Sequence, residues 1–142
     1  MTEYYEQIFS SQCNEYSVVV EDNGKVCYAY LLSKNVVIGD VWLYNQSEAP
    51  SSTEWKKEGM PFLNSLEYIK EWIKIFPISK SGEVSVEWVF SDSHCSLNQV
   101  KIIIRNQHTA TIRPGSKPGW SLNVKKSGPL AKVLGDNERE PH

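Results

Sequence analysis

The run Asp92-Ser93-His94-Cys95, followed by His108, gathers the side chains that most often do chemistry. Carboxylate, imidazole and thiolate together suit a zinc ion, and a thiol beside an imidazole suits nucleophilic attack. The spacing of Asp92, His94, Cys95 and His108 matches no zinc pattern, and nothing local would activate the Cys95 thiol. The run reads as a polar turn. Paired carboxylates are the next source of chemistry. Glu67 and Glu71 lie four apart beside Lys70 and Lys74, and Glu83 and Glu87 lie on the polar side of a strand. Both pairs read as solvated faces. No phosphate loop, dinucleotide fingerprint or nucleophile elbow is present. The expectation is therefore a non-enzymatic protein with no catalytic residue, no metal and no cofactor.

Asp40 raises a different possibility. It interrupts the apolar run Val36-Val37-Ile38-Gly39-Asp40-Val41-Trp42-Leu43-Tyr44, which leads into a polar segment carrying Glu48, Glu54 and Trp55. Aromatic side chains supply large contact area at small entropic cost, and carboxylates around them steer a basic partner. Asp40, Trp42, Tyr44, Glu48, Glu54 and Trp55 are thus the candidate partner-binding surface. The competing reading places Trp42 and Tyr44 beneath the loop as a second core layer.

Charge is unevenly spread around a net value of −2. Residues 1–71 hold eleven acids and five bases, whereas the stretch between Asp92 and Asp136 holds seven bases and no acid. Either the two halves pair within one fold, or each sign marks a partner surface. Trp120 beside Lys117 and Arg113 gives the basic 101–132 stretch some character of a single-strand binder, so nucleic acid is the alternative partner.

The elements that must position these residues follow from periodicity. A chain of 142 residues with 40% hydrophobic content suits one soluble domain with one core, here 1–134, followed by a disordered polar tail over 135–142. Residues 3–12 predict a short helix with Tyr4, Tyr5, Ile8 and Phe9 on one face. Residues 16–44 predict a three-stranded meander turning at Asp22-Asn23-Gly24-Lys25 and Ser33-Lys34-Asn35. Pairing Asp22 with Lys25 and Leu32 with Val36 puts Val18, Val20, Cys27, Ala29, Leu31, Val37, Val41 and Leu43 on one apolar face. Asp40 then faces Tyr28 on the other. Residues 45–62 read as a long loop, and 65–76 as the principal helix, with Leu66, Ile69, Trp72, Ile73 and Phe76 on one face and Pro77 as its stop. Strands are predicted over Glu83–Phe90, Gln99–Arg105 and Thr109–Arg113, a rigid PGSKPG loop over 114–119, and a short final helix over 129–134. The fold class expected is α+β: a twisted, mainly antiparallel sheet of about six strands with one principal helix packed on it.

Cysteines 13, 27 and 95 are odd in number and widely spaced, which argues against a disulfide framework, and Cys27 reads as a buried hydrophobe. The start of the chain shows no signal-peptide pattern and no apolar run is long enough to span a membrane, so a cytoplasmic location is expected.

The stretches GKVCYAYLL (24–32), IGDVWLYN (38–45), GMPFLNS (59–65), KPGWS (117–121) and GPLAKVL (128–134) resemble a family of small, single-domain bacterial proteins. They are similar in size and style to immunity proteins encoded beside polymorphic or contact-dependent toxins. The resemblance carries no catalytic residue. It implies a protein that neutralises a cognate toxin domain. Where that toxin is a nuclease with a cationic cleft, an acidic and aromatic surface would plug it.

Overall fold

The computed structural model describes residues 3–46, 63–65, 68–70, 77–91 and 95–135. Strands β1 (Tyr4–Phe9), β2 (Tyr16–Asp22), β3 (Val26–Ser33) and β4 (Val36–Asn45) form one antiparallel sheet in that order. A 3₁₀ turn at Ser81–Glu83 precedes the second sheet. Its strands β5 (Val84–Phe90), β6 (Leu97–Ile104), β7 (Gln107–Ile112), β8 (Trp120–Ser121) and β9 (Lys132–Val133) also follow chain order, with β9 parallel to β8.

The expected α+β class is corrected: the described residues form an almost all-β protein of two sheets, with no α-helix among them. The 3–12 segment is strand β1. Tyr4, Tyr5, Ile8 and Phe9 satisfy a helical face, but pairing with β2 decides: the strand divides them, with Tyr4 and Ile8 half-buried and Tyr5 and Phe9 exposed. The principal helix expected over 65–76 falls partly outside the described residues. Where it is described, Ile69 forms an antiparallel bridge with Val124. Lys70 N–H donates to Asn123 O at 3.1 Å and Lys125 N–H to Tyr68 O at 2.7 Å. A backbone tied sideways to another segment in this way is extended, not helical. The final short helix is also corrected, because Lys132–Val133 is strand β9.

Register follows the expected faces with local shifts. Asp22 pairs with Cys27 rather than Lys25, a shift of two residues along the partner that leaves the faces unchanged. Irregularities between Leu31 and Leu32 and between Cys27 and Tyr28 set the β3–β4 register, so Asp40 lies opposite Tyr30 and Trp42 opposite Tyr28. Val18, Val20, Cys27, Ala29, Leu31, Val41 and Leu43 are all fully buried, whereas Val37, near the β3–β4 turn, is 40% exposed. These residues share one core cluster with Val84, Val100, Ile102, Ile104, Ala110 and Ile112 of the second sheet.

Two features among those that join the sheets position the candidate sites. The outer edge of β4 bonds to the PGSKPG loop: Gly115 N–H donates to Ile38 O, Asp40 N–H to Ser116 O and Gly119 N–H to Asp40 O, at 2.7, 3.0 and 2.7 Å. Trp42 N–H continues the seam to Leu130 O at 3.0 Å. Gly39 lets the strands approach this closely, because a Cβ there would lie 2.5 Å from Ile112 Cγ2. The second join is a disulfide between Cys13, in the β1–β2 loop, and Cys95, in the β5–β6 loop, 82 residues apart. It corrects the expectation of unpaired cysteines; Cys27 alone is free, and it is buried. Among the described residues no helix is long and apolar enough to cross a membrane.

Candidate functional site

The six residues proposed from sequence separate. Glu48, Glu54 and Trp55 lie outside the described residues. Trp42 and Tyr44 are 1% and 2% exposed, so both rings belong to the core and neither presents a surface. Trp42 Nε1 donates to Asn45 Oδ1 at 2.8 Å, which satisfies its one polar atom. Asp40 is half-buried. Burial raises its carboxyl above the usual aspartate range, and the charge of Lys117 opposes that rise. Its backbone bonds to Ser116 and Gly119, so Asp40 is a structural partner of the PGSKPG loop.

The carboxylate that organises this end of the sheet is Asp22, which sequence reading took only as a turn residue. Asp22 is 1% exposed and fully engaged. Tyr44 Oη–H donates to Asp22 Oδ2 at 2.6 Å, Gln46 Nε2–H to Oδ1 at 2.6 Å, and Gly24 N–H to Oδ1 at 2.9 Å. Tyr44 Oη in turn accepts from Ile78 N–H at 2.9 Å. Burial first, then the neighbouring Cys27 and Asp22, hold the Tyr44 hydroxyl protonated. Burial likewise pushes the Cys27 thiol up, reinforced by Asp22, so it is no nucleophile. The network is closed and structural. The Asp22-Asn23-Gly24 turn signal was the clue to it, since Asp at that place bonds the amide two residues on.

Of the metal and nucleophile candidates, only Cys95 and His108 are among the described residues. Asp92 and His94 lie outside the described residues. Cys95 is held in the disulfide, so it offers no thiolate, and His108 Nε2 shares a hydrogen bond with Thr111 Oγ1 at 2.8 Å. The described residues hold no group of three or more metal-ligating side chains.

Two surfaces remain. One lies on the second sheet, where register aligns Glu87, Lys101, Thr111, Trp120 and Lys132 across five strands. The Arg113 guanidinium lies 5.0 Å from the Trp120 ring centroid and Lys132 Nζ 4.6 Å. Trp120 itself is 5% exposed. Its ring is thus engaged by cations and buried, which leaves no open face for a base to stack on.

The other surface lies at the far edge of the first sheet. Glu3, Tyr4, Tyr5, Glu21, Asp22 and Asn23 line an open groove of about 430 Å³. Tyr5 lies opposite Glu21 and is 63% exposed, and Phe9, further along the same face, is 54% exposed. Glu3 and Glu21 are also exposed. The residues preceding Lys25 include five acids and neither Lys nor Arg. Sequence reading missed this surface because a helix there would have turned Tyr5 and Phe9 inward. The acid-only composition of the first 24 residues was the available signal. The chain matches no family model, no curated protein and no solved structure.

Proposed function

We propose that this chain is a non-enzymatic binding protein that neutralises a basic toxin domain by covering its active cleft, with the outer face of β1 and β2 as its contact surface. The observation that carries this reading is the exposure of Tyr5 and Phe9 among the acids Glu3 and Glu21. Large aromatic rings exposed on a strand cost hydration and are common anchors in interfaces, and the acids around them select a cationic partner. The family resemblance points the same way. Occlusion requires no turnover, only a rigid surface, and the disulfide and the Asp22 network brace both ends of β2.

Cytoplasmic action belongs to the same proposal. The Cys13–Cys95 pairing stands against it, because disulfides persist chiefly in oxidising compartments. The thiol content of the chain taken directly from cells decides that part.

Expressed with the neighbouring gene, the tagged chain is expected to capture that gene's product and relieve its toxicity. Tyr5→Ala combined with Glu21→Lys should weaken capture by at least about tenfold, the scale of an interface hot spot. A neighbouring product that neither binds nor is toxic overturns the reading.

A second reading, contact with nucleic acid, is favoured by the convergence of Arg113 and Lys132 on Trp120. With stacking closed off, such contact would be to phosphates. It predicts a strongly salt-dependent shift with single-stranded oligonucleotides, and no shift at low salt removes it.

A further inference from the structure

The backbone of β1 says how a partner would engage it. Ser10 N–H donates to Tyr16 O at 3.1 Å, and the unbroken register pairs Tyr4 with Asp22, Glu6 with Val20 and Ile8 with Val18. In an antiparallel ladder alternate residues turn N–H and C=O toward the same neighbour. Tyr4, Glu6 and Ile8 therefore bond to β2, while the N–H and C=O groups of Tyr5, Gln7 and Phe9 point away from it. Among the described residues no strand pairs with that side, since β1 ends the order of its sheet.

Edge strands normally carry devices that discourage pairing, such as Lys, Pro or a bulge. Tyr4–Phe9, YYEQIF, has no Lys, no Pro and no register shift against β2, and its one charge, Glu6, lies on the face of Tyr4 and Ile8 rather than beside Tyr5 and Phe9. It is a regularly paired strand with outward backbone groups and two exposed aromatic rings on one face.

Charge selects the occupant. The hairpin that presents the edge holds Glu3, Glu6, Glu15, Glu21 and Asp22 with no base. A second copy of the chain would bring two such hairpins edge to edge, acid against acid. An extended segment bearing Lys or Arg on alternate positions would instead place its cations beside Glu3, Glu21 and the Tyr5 ring.

We propose that β1 accepts an extended basic segment of the protein partner as an added strand, hydrogen-bonded to Tyr5, Gln7 and Phe9. The proposal rests on the binding-protein reading and specifies its mode.

The test is amide hydrogen exchange on the full chain at low salt, with and without a seven-residue peptide alternating lysine and valine. The expected result is slowing of the Tyr5, Gln7 and Phe9 amides by at least about tenfold with this peptide. A control peptide with glutamate in place of lysine should have no effect. Gln7→Pro removes one outward N–H and leaves the β2 ladder intact, so it should abolish the slowing at Tyr5 and Phe9. Glu3→Lys combined with Glu21→Lys should abolish it without touching the backbone. Unchanged exchange at millimolar peptide overturns the proposal. Protection that appears without peptide and rises with protein concentration also overturns it, in favour of self-pairing. Capture of the toxin with unchanged exchange at these three amides would sink strand addition and leave the toxin-binding reading standing.

Discussion

The first sheet has two edges, and they are treated in opposite ways. The β4 edge is sealed: three hydrogen bonds to the PGSKPG loop and one to Leu130 occupy its backbone, and Trp42 and Tyr44 are enclosed beside it. The β1 edge is unpaired among the described residues, with Tyr5 and Phe9 on the surface. Both strands are rich in aromatics and both carry acids. Aromatic-plus-acid composition therefore does not by itself mark a contact surface. What distinguishes the two is where the outward backbone bonds go. At β4 they stay within the chain, and at β1 no strand among the described residues receives them.

The largest effects expected from breaking this contrast are at the sealed edge. Trp42→Ala should cost about 3–5 kcal/mol by urea denaturation, as for other buried aromatic truncations. Tyr5→Ala should change stability by less than about 0.5 kcal/mol. Comparable losses at the two positions would erase the distinction.

The disulfide comes next. Replacing Cys13 and Cys95 by Ser should cost about 2–4 kcal/mol, the usual scale for closing a long loop. Under non-reducing denaturation the wild-type chain should titrate a single thiol, that of Cys27. Three free thiols would disprove the pairing.

Gly119→Ala probes the seam itself. A Cβ there would collide with the Thr111 carbonyl oxygen of β7, so the loop must shift and strain its bond to Asp40, at about 1–3 kcal/mol. The smallest effect belongs to Asp40. Its folded-state pKa is raised by burial, so the native chain holds this proton more tightly than the unfolded one. Stability is unaffected by Asp40 below the ordinary aspartate range and is reduced as pH rises through the raised folded value. Asp40→Asn should therefore be slightly stabilising at neutral pH, within about 0.5 kcal/mol, and neutral in acid. A stabilisation that grew in acid would contradict the sign.

How much of this was legible in the sequence depended on the period. The alternation from Val18 to Leu43 specified a buried face, and all but Val37 of the residues assigned to it are buried. The Asn23-Gly24 and Lys34-Asn35 turns were equally readable, with positive φ at Gly24, Lys34 and Asn35. Residues 3–12 failed because Tyr4, Tyr5, Ile8 and Phe9 share one face at a period of 3.6, whereas a period of 2 divides them between two faces. Only cross-strand pairing with β2 decides between them. Trp42 and Tyr44 could not be placed because burial of the second face depends on how distant segments such as Leu130 and Ile78 meet β4 and Tyr44. The Cys13–Cys95 pairing needed the juxtaposition of two loops 82 residues apart, which no local pattern encodes. For the candidate site, composition showed that the acids cluster early in the chain, but the topology was needed to show that they flank an open edge.

Native-state amide exchange on the unliganded chain compares the two edges most directly. The Asp40 and Trp42 amides, which donate to Ser116 O and Leu130 O, should exchange at least about a hundredfold more slowly than those of Tyr5, Gln7 and Phe9. Equal protection at the two edges in dilute solution would contradict the account, because β1 would then be as closed as β4.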